Sequence, residues 1–191
     1  GLDQLQGTSS GLGLSTDLYG RDKFWGTYDA INNSISNYSN EESGHGTHVA
    51  GTIAGSGFAS SGLDNRGIAP GANIVSLKIA SAANGVLVDV GFEANAVAAI
   101  DYMIRHREEL GNVGVANNSW GLLEEEAEGL IGPTDFDPVA EIVRAAVDAG
   151  IVMVFSAGND GPAPDTVRPI PNAMEEVISV ASACKPHDGC E

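Results

Sequence analysis

The sequence predicts an α/β fold, a three-layer sandwich in which helices cover both faces of a mostly parallel central sheet. From residue 73 onward, short β-branched runs alternate with longer segments whose apolar residues recur at helical spacing. The strand-like runs contain little polar alternation, which is typical of parallel strands that are buried on both faces. In such sheets ligands bind beyond the carboxyl ends of the strands.

The N-terminal half of the chain gives the weaker pattern. Residues 1–43 are rich in Gly, Ser, Asn and Thr with few apolar runs, so we expect mostly loops and short turns there. A helix-like run, THVAGTIAG, follows at 47–55. Residues 73–80 (NIVSLKIA) predict a buried strand, and residues 89–111 predict a helix that Gly111 can end.

The C-terminal half alternates more clearly. Residues 112–121 (NVGVANNSWG) predict a strand that runs into a polar, glycine-containing turn. Residues 137–150 predict the best-defined helix of the chain, because Asp137 can cap its start and Gly150 can close its end. Two further strands are predicted at 151–157 and 177–181.

Two of these predicted strands end in polar, glycine-rich segments. They are NNSWG at 117–121 and SAGNDGP at 156–162. Both segments lie where an α/β sheet binds its ligand, so both are candidates for a functional site.

Composition excludes several classes of protein. The chain has 191 residues, enough for one domain or most of a larger one. Its net charge of −17 argues against nucleic-acid binding and favours a solubilising acidic surface. The longest apolar run, IVMVF at 151–155, is too short to span a membrane. No secretory signal opens the chain, which begins at Gly1 rather than Met.

The two cysteines, Cys184 and Cys190, lie in ACKPHDGCE. The turn-forming residues between them make a disulfide plausible in an oxidising compartment, which favours a secreted or extracytoplasmic location. Cys184, His187 and Cys190 could instead be three metal ligands, although their spacing fits no common zinc pattern. Both interpretations stay open.

Two of the four histidines lie three residues apart in SGHGTHVAGTIAG, residues 43–55. His45 and His48 could be a metal pair, a structural pair, or one catalytic imidazole with a neighbour. Metal pairs on a helix usually stand four residues apart and are accompanied by a glutamate, a pattern that is missing here.

Four segments together resemble successive blocks of the subtilisin-like serine proteases, the subtilases. They are GHGTHVAGTIAG, GIAPGANIVSLKI, NNSWG and VMVFSAGNDGP, which occur in the family's order between about residues 43 and 181. The resemblance implies a subtilisin-like fold and a serine endopeptidase that acts on peptide or protein substrates.

The resemblance also implies roles for individual residues. His45 matches the catalytic general base, His48 a buried structural histidine, and Asn159 the side chain that donates to the oxyanion. The substrate-binding residues implied by the family pattern are Ser119, Trp120 and Gly121 beside the substrate backbone, and Ala157 and Gly158 in the wall of the primary specificity pocket. A further edge that pairs with substrate is implied less securely at Gly85, Val86 and Leu87.

Two catalytic parts of the family pattern are missing. No GTS motif follows the Asn159 block, and the GTSS at 7–10 lies upstream of His45. Asp3 and Asp17 lack the apolar strand that precedes the family's triad aspartate. The opening GLDQLQG looks like the continuation of that aspartate motif. We therefore expect residues 1–191 to be a partial catalytic domain that is inactive by itself.

Other functions stay open at this stage. The chain could be a catalytically inactive subtilase-like domain that binds a partner. A nucleotide site at GSG, residues 55–57, is poorly supported because those glycines follow a helical run rather than a strand. No cofactor is required by the implied chemistry. Calcium stays open, because residues 55–67 match the region of a family calcium loop but contain only one carboxylate, Asp64.

Overall fold

A computed structural model describes residues 23–36, 41–57, 66–83, 86–88, 91–121, 137–161, 163, 166–167 and 170–183. The chain divides into two units, Gly1–Leu110 and Gly111–Glu191.

The first unit contains a three-stranded sheet in the order β2-β1-β3. Its strands are β1 (Phe24–Asp29), β2 (Ser34–Ser36) and β3 (Ile74–Lys78). Strand β1 pairs antiparallel with β2 and parallel with β3. The expectation that residues 1–43 form mostly loops is therefore wrong for β1 and β2.

The sequence did not predict strand β1 because polar side chains are buried along it. Lys23, just before the strand, is fully buried and donates to the carbonyl oxygens of Pro70 and Ala72. Asp29 is 3% exposed and accepts hydrogen bonds from the backbone N–H groups of Ile31 and Asn32. Because these partners come from the fold and from a local turn, the strand lacks the apolar pattern of a buried strand.

Two helices and a hairpin complete the described part of the first unit. Helix α1 spans His45–Ala54, strands β4 (Ser81–Ala83) and β5 (Val86–Val88) pair antiparallel, and helix α2 spans Phe92–Arg105. Helix α2 buries a face of Ala96, Ala99, Ile100 and Met103.

Helix α2 confirms the predicted helix but is shorter at its C-terminal end. It ends at Arg105, and residues 106–111 form turns. The segment HREEL at 106–110 is mostly charged, so it offers no continuous apolar face that could pack against the sheet. Gly111 has a φ of 82° and ends the turns rather than the helix.

The second unit contains a fully parallel sheet in the order β6-β7-β8. Its strands are β6 (Val115–Asn118), β7 (Val152–Ser156) and β8 (Ile178–Val180), which confirm the three strands predicted for this part of the chain. The expectation that such strands are buried on both faces is wrong for β8, which is exposed along its whole length, and for most of β6. Met153 and Phe155 of β7 are buried, as are Val139 and Val143 of helix α3 (Pro138–Asp148).

Helix α3 has the ends that its sequence predicts. The Asp137 carboxylate accepts hydrogen bonds from the N–H groups of Val139 (2.7 Å) and Ala140 (2.9 Å). At the other end, Gly150 adopts a φ of 79° and donates to the Val147 carbonyl oxygen at 2.8 Å. These contacts satisfy backbone groups that a helix leaves unpaired at its ends.

The parallel strands and the helices between them confirm the predicted α/β class. In the part of the chain that the structure describes, no helix is both long enough and apolar enough to cross a membrane.

Candidate active site

His45 is the first residue of helix α1. The residue before it, Gly44, has a φ of 81°, a left-handed conformation that side chains disfavour. The imidazole of His45 is exposed. The helix therefore begins two residues before the helix-like run that the sequence predicts at 47–55.

His48 is also exposed, so the expectation of a buried structural histidine is wrong. Helix α1 buries fully only Ala54, at its C-terminal end, and its first turn lies on the surface of the unit. Burial of His48 was implied by the family pattern alone, and this part of the helix has no buried face to receive it.

The carboxylate of Glu41, four residues before His45, accepts hydrogen bonds from the turn that leads into helix α1 and from a side chain in its first turn. Glu41 accepts hydrogen bonds from the N–H and the hydroxyl of Ser43, both at 2.7 Å, and from the N–H of Gly44 at 2.8 Å. It also accepts from the Thr47 hydroxyl at 2.9 Å. The Ser43 oxygen in turn accepts from the N–H of His45 at 3.1 Å.

These hydrogen bonds change the acidity of Glu41. Partial burial raises the pKa of the carboxyl group, but the hydrogen bonds from Ser43, Thr47 and Gly44 outweigh burial and hold the pKa below its usual value. The charged carboxylate is therefore the form that the loop before His45 stabilises.

The neighbouring Glu42 ties the same loop to the strands. Its carboxylate accepts from the N–H of Ala82 in β4 at 2.9 Å and from the ammonium group of Lys78 in β3 at 3.0 Å. The Ala82 N–H and then Lys78 lower the pKa of Glu42. Two consecutive glutamates thus anchor the loop that leads to His45. No sequence pattern had singled them out.

In the second unit, Ser119, Trp120 and Gly121 follow directly after β6. The Trp120 ring packs edge-on against Phe155, with ring centroids 5.2 Å apart. The Ser119 hydroxyl accepts from the side-chain amide of Asn117 at 3.0 Å.

Ala157, Gly158 and Asn159 follow directly after β7. The Ala157 N–H donates to the Val180 carbonyl oxygen at 2.8 Å, which fixes this segment to β8. Gly158 has a φ of 94°, so a residue with a Cβ would be strained there. Asn159 is exposed.

The segments 119–121 and 157–159 therefore leave one sheet side by side. Strands β6 and β7 are hydrogen-bonded neighbours, and their last aligned pair is Asn118 with Phe155. The two polar strand ends thus lie at the same edge of one sheet. His45 lies in the first unit, as do Val86 and Leu87 of β5, whereas residues 119–121 and 157–159 lie in the second.

Asn172 is a buried residue at this site that the sequence analysis did not find. Its side chain is 1% exposed, and its amide nitrogen donates to the carbonyl oxygens of Trp120 at 3.1 Å and Ser156 at 2.6 Å. The bond to Trp120 spans 52 positions, so no local motif could have indicated it.

Several sequence predictions concern residues outside the described ranges. These are the cysteine pair Cys184 and Cys190 with His187, the middle of the loop at 55–67 with Asp64, the residue Gly85, and the N-terminal segment with GTSS, Asp3 and Asp17. In the ranges that the structure does describe, no three His, Cys, Asp or Glu side chains are placed to hold a metal ion together.

Comparison with known proteins identifies the family. The model of the subtilase family matches residues 13–188. The serine protease AprX of Bacillus subtilis (strain 168) is 32% identical over 180 residues, which cover 91% of this chain and 36% of AprX. The major intracellular serine protease of the same strain is 30% identical over 171 residues, which cover 88% of this chain and 46% of that protein.

A solved structure supports the fold. The structure entitled S41 Psychrophilic Protease matches with a TM-score of 0.62 at 24% identity, covering 83% of this chain and 46% of that one. The chain thus spans less than half the length of each of these proteins. The family match extends over nearly the whole chain, and the fold agrees with it. The chain belongs to the subtilase family.

Proposed function

We propose that this chain is part of a serine endopeptidase that hydrolyses peptide bonds through an acyl-enzyme. The observation that carries the proposal is the subtilase match over residues 13–188, which includes both the HGTH and the SAGND blocks. The start of helix α1 and the carboxyl end of β7 support the positions of these blocks.

His45 is the general base of this proposal. Its imidazole takes the proton from a serine hydroxyl as that oxygen attacks the substrate carbonyl carbon, and it then gives the proton to the leaving amine. The exposure of His45 and the hydrogen-bonded turn that precedes it support this role, because a base needs access to substrate and a fixed backbone.

Asn159 stabilises the negative charge that develops on the substrate carbonyl oxygen. The side-chain amide of Asn159 is exposed just after a parallel strand, so it is accessible to that oxygen. The segment Ser119–Gly121 binds the substrate backbone, and Ala157 and Gly158 form part of the wall of the primary pocket. No step of this chemistry uses a metal or a cofactor.

The nucleophile and the orienting aspartate are not assigned to any of the 191 residues. We propose that this stretch alone does not turn over peptides, because the base and the oxyanion donor cannot form an acyl-enzyme without a serine. We also propose an extracytoplasmic location, which the cysteine pair near the C-terminal end of the sequence supports.

The test compares the two histidines of the motif in the protein expressed from its complete reading frame. His45→Ala should reduce kcat for a chromogenic peptide by at least about 1,000-fold, since removal of a triad member leaves only the contributions of binding and the oxyanion hole. The matched control is His48→Ala, three positions along the same helix and also exposed, which should keep most of the activity.

The outcomes separate the protease from a binding domain. Equal loss of activity in both variants, at unchanged folding by circular dichroism, would remove the assignment of His45. A wild-type protein that binds unstructured polypeptides but cleaves none of them would contradict the protease and favour a binding domain.

A further inference from the structure

One buried amide spans the ends of the two strands that carry the proposed substrate-binding segments. The amide nitrogen of Asn172 donates to the carbonyl oxygen of Trp120, inside the segment 119–121. It also donates to the carbonyl oxygen of Ser156, the residue immediately before Ala157.

This bridge begins where the backbone pairing of the two strands stops. The last aligned pair of β6 and β7 is Asn118 with Phe155, and the two carbonyl oxygens lie two and one residues beyond it. Both acceptors are carbonyl groups, so the amide must present its nitrogen to them. The side chain of Asn172 thus takes the place of backbone hydrogen bonds beyond the last aligned pair of the two strands.

Asn172 also limits the size of the residue that fits at position 121. A Cβ at Gly121 would lie 3.1 Å from the side-chain oxygen of Asn172 and 3.2 Å from its nitrogen. That spacing is tighter than ordinary contact, and Asn172 is held by two hydrogen bonds and cannot easily withdraw. The amide therefore packs directly against the backbone of the segment that binds substrate.

We propose that Asn172 is a positioning residue that sets the separation of segments 119–121 and 157–159 and thereby selects the size of the substrate side chain that fits between them. The inference rests on the proposed function, which assigns those two segments to substrate binding. Loss of the amide leaves two carbonyl groups without their donor and removes the volume beneath Gly121. The space between the two segments then widens and accepts larger substrate side chains.

The test measures kcat and KM of the protein from its complete reading frame on peptides that differ only in the residue before the scissile bond. In Asn172→Ala, the ratio of kcat/KM for phenylalanine to kcat/KM for alanine at that position should rise about tenfold, the lower end of what small changes in a pocket produce. Asn172→Ser, which keeps one donor, should show a smaller rise in the same direction.

A matched control is available on the same two strands. Asn118 is 8% exposed, and its amide donates to the carbonyl oxygens of Ala116 (3.1 Å) and Val154 (3.2 Å) within the paired part of the sheet. Asn118→Ala therefore also loses a buried amide bridge, but at a point where the ladder itself holds the strands. In Asn118→Ala, the ratio of kcat/KM for phenylalanine to kcat/KM for alanine should change less than about twofold, even though the free energy of unfolding falls.

Each outcome decides the proposal. A rise in the ratio for the Asn172 variants alone supports it. Equal changes in the Asn118 and Asn172 variants, or an unchanged ratio in a folded and active Asn172→Ser, would make the bridge structural only. If Asn172→Ala does not fold, Asn172→Ser decides alone. A wild-type protein without peptidase activity would overturn the proposed function together with this inference, whereas the other negative results leave the proposed function standing.

Discussion

Glu41 should stabilise the start of helix α1 through its negative charge. In Glu41→Ala the four donors that it accepts from, on Ser43, Gly44 and Thr47, lose their acceptor. The site is only partly buried, so water can replace part of the interaction. We expect a loss of about 1–2 kcal/mol in the free energy of unfolding, because several hydrogen bonds to a charged acceptor are lost and water replaces only part of them.

The conservative variant Glu41→Gln separates charge from hydrogen bonding. Three of the bonds, from Ser43 and Gly44, reach one oxygen of Glu41, so a glutamine can keep them. The other oxygen accepts from the Thr47 hydroxyl and also from the Gly44 N–H, both at 2.9 Å, and the NH₂ group of a glutamine cannot accept either bond. We expect Glu41→Gln to be destabilised by roughly half as much as Glu41→Ala at pH 7.

The pH dependence follows from the lowered pKa of Glu41. Because the pKa is lower in the folded state, the carboxylate contributes stability above the unfolded pKa, about 4.3 for a glutamate. This contribution is lost as pH falls through the folded pKa. The difference in stability between wild type and Glu41→Gln should therefore be full at pH 7 and vanish in acid below the folded pKa.

The assay is denaturant unfolding of the complete protein between pH 7 and about 3, with the active site blocked by a covalent serine inhibitor to prevent self-digestion. A control variant, Glu175→Gln, changes an exposed carboxylate in the second unit and should leave stability nearly unchanged at every pH. A difference between wild type and Glu41→Gln that stays constant across this range, or grows in acid, would refute the reasoning.

Further predictions concern the cap of helix α3, the proposed oxyanion donor and the cysteine pair. Asp137→Ala should cost about 1 kcal/mol in the free energy of unfolding, because two N–H groups lose their acceptor, whereas Asp137→Asn should cost less. Asn159→Ala in the complete protein should lower kcat for peptides about 100- to 1,000-fold with little change in KM, as measured by steady-state kinetics. Cys184 and Cys190 should form a disulfide in protein secreted into an oxidising compartment, and an intact mass with two reactive thiols would contradict this.

The parts of the fold that the sequence predicted depend on local signals. Helix α3 was predicted with both its ends because its cap, Asp137, and its terminating Gly150 lie next to the residues that they satisfy. Strands β7 and β8 were predicted because β-branched and apolar runs are typical of parallel strands, although β8 is exposed rather than buried.

The parts that were missed depend on distant partners. Strand β1 is flanked by a buried lysine, Lys23, whose acceptors at Pro70 and Ala72 lie 47 and 49 positions away. A lysine with a buried ammonium group does not look like a strand residue until those carbonyl groups are known. Asn172 was not identified for the same reason, because its acceptor at Trp120 lies 52 positions away.

The same distinction between local signals and distant partners applies to the candidate site. The positions of His45 and of the two polar strand ends could be predicted, since each follows from the start of a helix or the end of a strand. The exposure of His48 could not, because it depends on what packs against the first turn of helix α1 rather than on the motif. The Glu41 and Glu42 contacts that hold the loop before His45 became visible only in the fold.

The most direct test of the serine-protease proposal is to locate the residue that a serine-directed covalent inhibitor modifies in the complete protein. Mass spectrometry of the digested adduct should find one modified serine outside the 191 residues of this sequence, and His45→Ala should abolish the modification. A modified serine within these residues, such as Ser9 or Ser10 of the GTSS segment, or labelling that persists in His45→Ala, would contradict the account.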